Sequence, residues 1–255
     1  MNMGESIISS VIGAFIYTFL IIIIGWGTYC ITGRRKLLKF FGISSTKRLV
    51  IYLSNIRVNQ FGSKGVDGKD RSYAGSTVVY NEQNVASKFK ERFNYLVPSL
   101  SDSPSFLSKI LFSDIQVRSK ISPLNDSELE SVSSIISFGS PAYNIASSMI
   151  ESCGNSSVKF IEDMTCIQIK NVPNIKDPTN GFIQKLVINN DNNHRCLFYV
   201  AGLAEQGTIG AAHYLVDNWN VLQKKYKDNE SFIILLRFPT SDYKNYTIDF
   251  ERKIE

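Results

Sequence analysis

The chain has 255 residues but only two histidines, His194 and His213, and four cysteines, Cys30, Cys153, Cys166 and Cys196, with no close spacing. That pattern excludes the clustered Cys/His sets of zinc sites, and no metal is expected. In a reducing cytoplasm such scattered cysteines stay as thiols rather than as a disulfide framework. No G-x-S-x-G elbow and no H-E-x-x-H occurs. The G-x4-G-T stretch starting at Gly202 lacks the lysine of a P-loop. Serine-hydrolase, zinc-protease and P-loop NTPase readings therefore lose their motifs.

Excess charge is missing from most of the chain. The formal net charge is +5, yet residues 49–255 carry 22 basic and 22 acidic side chains. The excess belongs to residues 1–48, where Arg34, Arg35, Lys36, Lys39, Lys47 and Arg48 stand against Glu5. A neutral domain lacks the basic footprint of a nucleic-acid binder, so no direct nucleic-acid binding is expected.

Charge is missing altogether from Ser6 to Gly33, a run rich in Ile, Phe, Leu and Val. About 20 apolar residues in a helix cross the hydrocarbon core, so this run predicts a transmembrane helix. A cleaved signal peptide would carry its positive charge before the apolar core, and here the basic cluster follows it. Flanking Lys and Arg stay inside, which places a short N-terminus outside and the rest of the chain in the cytoplasm. The reading is thus single-pass, at the inner or cell membrane. Trp26 and Tyr29 fall where an interfacial aromatic belt would form. Ser9 with Gly13, and Ser10 with Ala14, place small residues four apart, a spacing that permits helices to approach. The organisation expected is a span within residues 1–33, a basic amphipathic linker over 34–47 that attracts anionic lipid, and one cytosolic domain over 48–255.

Alternating elements set the class of that domain. Apolar β-rich runs at Arg48–Leu53, Ser134–Phe138, Arg195–Ala201 and Ser231–Phe238 read as core strands. Helical spacing predicts helices from Asn81 to Val97, after Ser140-Pro141 to Glu151, and from Gly207 to Tyr226. Short β-like runs from Val158 to Val187 suggest a small antiparallel section. Residues 55–76, rich in glycine, read as a surface loop or a lid. Residues 99–108 read as a loop, and Ile110–Val117 as a possible strand. The expected fold is α/β, a Rossmann-like three-layer domain with a largely parallel sheet behind an N-terminal transmembrane helix.

Two strand-to-helix junctions carry the candidate site. One holds Gly139, Ser140 and Asn144; the other holds Gly202, Glu205, Gly207 and Thr208. Ligands of open α/β sheets bind beyond the carboxyl ends of strands, where helix amides favour phosphate. The same glycines also serve simply to make tight turns. Glu205 is the candidate acid–base residue, or a helix cap. His213, without a partner motif, reads as a packed or surface side chain rather than a catalyst.

Gly207-Thr208, opening a helix after an apolar strand and an acid, resembles the ribose- and phosphate-binding turn of nucleoside deoxyribosyltransferase-like and related nucleotide-binding Rossmann domains. In that family a catalytic glutamate follows the Gly-Thr pair closely, whereas Gly210, Ala211 and Ala212 stand there in this chain. One span followed by a nucleotide-binding-like domain resembles the membrane effectors of bacterial anti-phage signalling systems. The resemblance implies a homo-oligomeric sensor that takes a nucleotide-type small molecule and acts on the lipid bilayer. A membrane-tethered nucleotide- or NAD-processing enzyme and a non-catalytic scaffold are the alternatives.

Overall fold

The computed structural model describes residues 3–43, 48–58, 63–64, 70–71, 75–77, 79–96, 116–123, 125, 127, 129, 133–190, 193–240 and 242–254. The loop read at 99–108, the start of the strand read at 110–117 and most of the 55–76 segment lie outside them.

Helix α1 runs Met3–Phe40, 38 residues, a length of about 57 Å at 1.5 Å per residue. Its side chains are described in pieces, the longest being 12–22, where every one is exposed. Among the described residues no helix is long and apolar enough to cross a membrane.

The strands follow in order: β1 Arg48–Leu53, β2 Ile56–Val58, β3 Ser63–Lys64, β4 Asp70–Arg71, β5 Gly75–Thr77, β6 Gln116–Ile121, β7 Ser134–Phe138, β8 Val158–Ile161, β9 Cys166–Ile169, β10 Asn180–Asn190, β11 Asn193–Gly202, β12 Ser231–Arg237 and β13 Thr247–Ile254. Helix α2 is Tyr80–Leu96, α3 is Ile145–Ser152 and α4 is Glu205–Tyr226. Seven described strands form one sheet in the order β13-β12-β10-β11-β7-β1-β6. β6, β1, β7 and β11 pair in parallel; β10 and β13 run against the rest. The domain is therefore mixed α/β with a largely parallel sheet, consistent with a Rossmann-like arrangement.

Strands buried on both faces need cover on both. On one face α2, α4 and the end of α1 cover Leu49, Ile51, Ile136, Phe198 and Ile234. On the other, α3 and the β8–β9 hairpin cover Val50, Tyr52, Ile135, Leu197 and Tyr199. The antiparallel section read over Val158–Val187 thus divides: the hairpin packs on the sheet, and β10 joins it.

Of residues 34–47, read as a linker along the membrane surface, 34–40 are the last turns of α1. Leu37, Phe40, Phe41 and Ile43 are buried in the first of these two cores. The helix stops at Gly42, whose positive φ of 68° suits glycine and closes the terminus through its amide to Lys39 O at 3.0 Å. Gly42 O then accepts from Ser134 Oγ at 2.8 Å, and the Ser134 hydroxyl oxygen in turn accepts from Cys196 N at 3.1 Å. Because Ser134 opens β7, α1 docks at the amino edge of the parallel strands, opposite the edge where the candidate turns lie.

Lys185, fully buried on β10, braces this joint. Its ammonium donates to Asp228 O at 2.8 Å, beyond the end of α4, and lies 4.6 Å from the centre of the Phe40 ring. A cation at a helix C-terminus meets the negative end of the dipole. Burial holds the amine below its usual pKa, against the raising effect of nearby acids.

Candidate functional site

The parallel strands turn over between β1 and β7. From β1 the chain crosses to β6 on one side, and from β6 it returns to β7 on the other. Such a switch point opens a crevice at the carboxyl ends of the two strands. Ser54 and Asn55 follow β1 there, and Gly139 and Ser140 follow β7.

Much of that edge is spent on holding itself together. Asn144, 1% exposed, is the N-cap of α3, its Oδ1 accepting from Ala146 N at 3.0 Å. Its Nδ2 donates to Tyr52 O at 3.1 Å and Phe138 O at 2.8 Å, tying the ends of β1 and β7 together. Helix α3 therefore starts at Ile145, four residues beyond the Ser140-Pro141 start expected, because Asn144 caps it and Ser140 O closes a turn with Tyr143 N and Asn144 N. Gly139 has φ 84°, a conformation that suits glycine, and Ser147 Oγ donates to its carbonyl at 2.7 Å.

The second junction is similarly occupied. A side-chain carbon added at Gly207 would run into the Asn180 carbonyl, and one at Gly202 would meet the same carbonyl and the Gly207 backbone. These glycines let α4 press against the ends of β10 and β11, so the room expected for a ligand is filled by main chain. Thr208, one of the candidate site residues, is buried, and its Oγ1 accepts from Gly202 N at 2.9 Å. The α4 N-cap, Ala204, has no side-chain hydrogen bond.

The structure sets the two junctions side by side, since Phe138 pairs with Val200 and Gly139 N donates to Val200 O. What faces them is acidic. Glu82 in the first turn of α2 is buried, its two carboxylate oxygens accepting from Ser54 N and Ser54 Oγ, both at 2.8 Å. Burial pushes this carboxyl above its usual range; the Ser54 bonds work against the shift and the Glu205 charge adds to it. Glu205 itself is exposed and accepts from Asn81 Nδ2 at 2.6 Å. Among residues 54–55, 81–82, 139–144 and 202–208 none is basic. Two carboxylates and no cation favour hydroxyl or amine donors here and disfavour phosphate. Beside this edge lies a cavity of about 300 Å³ lined by Asn55, Ser122, Tyr143 and Asn144. Asn55 Oδ1 is buried without a partner among the described residues.

Taken along the chain alone, Glu82 is only an acid in the first turn of α2, favoured by the helix dipole. Its pairing with Ser54 joins positions 28 apart in the chain, and no local pattern marks it.

A larger concavity, about 710 Å³, lies between α2, α4 and the turn 242–246. Lys88 crosses from α2 to α4, donating to Asp217 Oδ2 at 2.9 Å and approaching His213 Nδ1 at 3.3 Å. An ammonium only donates, so Nδ1 accepts and the neutral ring carries its proton on Nε2. Burial lowers the His213 pKa, Lys88 lowers it further, and Asp217 opposes both. The ring stacks on Tyr243 with centroids 4.9 Å apart and an 18° interplanar angle. Tyr246 meets Tyr214 edge-on at 4.9 Å, fixing the turn against α4. His213 is therefore a packed wall residue with a defined tautomer. Among the described residues no group of three or more His, Cys, Asp or Glu stands together as a metal site.

No protein-family model matches this chain, and neither a curated protein nor a solved structure matches it significantly.

Proposed function

We propose that the chain is a membrane-anchored sensor and effector, in which a cytosolic α/β domain binds a nucleotide-type small molecule and passes the event to the bilayer through α1. The observation that carries the reading is the missing hinge. The helix that bears Ser6–Gly33 continues unbroken into Leu37 and Phe40, which are buried in the domain core. A packed joint transmits displacement, whereas a flexible linker would dissipate it. Nine large apolar side chains of α1 between Ile12 and Ile24 are exposed, from 49% at Leu20 to 75% at Phe15. An apolar surface of that extent calls for lipid or another copy of the helix. The span, its orientation with the domain inside, self-association and a part in anti-phage defence belong to this proposal.

Inserting a flexible Gly-Ser linker between Gly33 and Arg34 leaves residues 37–43 in the core and uncouples the two halves. Membrane permeability in cells that make the full chain should rise on signalling and fall to background with the insertion. Equal permeability from both proteins sinks the reading.

A further inference from the structure

The two faces of α2 differ in what they meet. Lys88 and Arg92, four apart and thus on one face, line the large groove. Phe89 and Phe93, one position on from each, set their rings 6.1 and 5.2 Å from Phe41 at the end of α1. The groove and the α1 joint therefore share one helix.

The groove also has the chemistry that the carboxyl edge lacks. Arg92 and Lys244 have no ion-pair partner among the described residues, whereas Lys88 is paired with Asp217. Asp242 is partly engaged, its Oδ1 accepting from Lys244 N at 3.0 Å. Two unpaired cations match a phosphate dianion, and a guanidinium binds its oxygens in pairs. The uncharged His213–Tyr243 stack offers an aromatic wall to a flat ring. The volume falls in the range of small-molecule sites.

We propose that the groove between α2, α4 and the 242–246 turn is the ligand site of the domain, and that it takes a phosphate monoester bearing a flat ring, with Arg92 and Lys244 on the phosphate and the Tyr243 side on the ring. This inference rests on the sensor reading and moves its site away from the Gly139 and Gly207 turns.

The test uses the full chain in detergent micelles, titrated calorimetrically with adenosine, guanosine, cytidine and uridine 5′-monophosphates. At least one should bind saturably, and more tightly than its nucleoside or inorganic phosphate alone. Arg92→Ala and Lys244→Ala should each weaken it about tenfold, the scale of one charge-assisted hydrogen bond. Tyr243→Ala should weaken it and Tyr243→Phe should not, with unchanged melting temperature in the Arg92 and Lys244 variants. Failure of all four nucleotides to bind, or binding indifferent to Arg92 and Lys244, overturns the site. Binding that behaves as described but leaves oligomer size and liposome leakage unmoved keeps the site and overturns the sensor reading.

Discussion

Phe41, just past the end of α1, sets its ring 4.9 Å from that of Phe198 in β11. This pair joins the N-terminal helix to the centre of the sheet. A protein beginning at residue 46 would lack Leu37, Phe40, Phe41 and Ile43, all at 0–1% exposure. Loss of a single buried Phe costs about 3–5 kcal/mol, and a domain has only about 5–15 kcal/mol in hand. We expect a 46–255 protein to give no cooperative melt in circular dichroism, and a 34–255 protein to give one. A sharp transition from the shorter protein would show that the α1 end is dispensable.

Gly207→Val should unfold the domain rather than empty a binding site, because the new side chain meets the Asn180 main chain. Overpacking of this kind costs about 1–3 kcal/mol and more where backbone must move. The expected readout is loss of soluble, cooperatively melting protein. Retention of the wild-type melting temperature would contradict the packing role given to this glycine.

Thr208→Ala removes the acceptor for Gly202 N, a buried amide. Leaving such a donor unpaired costs about 1–3 kcal/mol. Thr208→Ser keeps the oxygen and should recover most of that loss in chemical denaturation. If serine and alanine are equally destabilising, the hydrogen bond is not what matters.

Asn144→Ala removes a cap and two bonds that join β1 to β7. A cap alone is worth about 1 kcal/mol, and the orphaned Tyr52 and Phe138 carbonyls add to it. A loss above about 2 kcal/mol in urea denaturation is expected. A loss below 1 kcal/mol would return Asn144 to the list of ligand-facing candidates.

Glu82 gives the folding equilibrium a pH dependence of definite sign. Its carboxyl pKa is raised in the fold, chiefly by burial, so between the ordinary value and the raised one the folded chain holds more protons than the unfolded chain. The protonated group's contribution is fully present below the unfolded pKa and is lost as pH rises through the folded pKa. Glu82→Gln should remove that decline, and melting temperatures across pH 4.5–8 should be flatter for the variant. Parallel profiles for wild type and variant would contradict the buried, proton-retaining role.

Much of this architecture is local and was legible in the residues. Apolar runs such as Ser134–Phe138 and Ser231–Arg237 are strands because β-branched and aromatic side chains without a polar face need cover on both sides. The 80–96 helix shows its core face through Val85, Phe89 and Phe93. Burial pattern acts over a few residues, so sequence alone determines it, whereas the α3 cap falls at Asn144 rather than Ser140, where the same side chain also bonds the ends of β1 and β7. The roles at the candidate site depend on distance in space instead. Asn144 and Thr208 have side chains suited to a ligand, and tertiary structure spends both on main chain brought in from other strands. Nothing in the order of residues pairs Ser54 with Glu82, or Lys88 with His213 and Asp217. The apolar run that ends at Gly33 was plain, but only packing decided that Leu37, Phe40, Phe41 and Ile43 beyond it enter the core, where Phe40 meets Phe198 and Phe41 meets Phe89, Phe93 and Phe198.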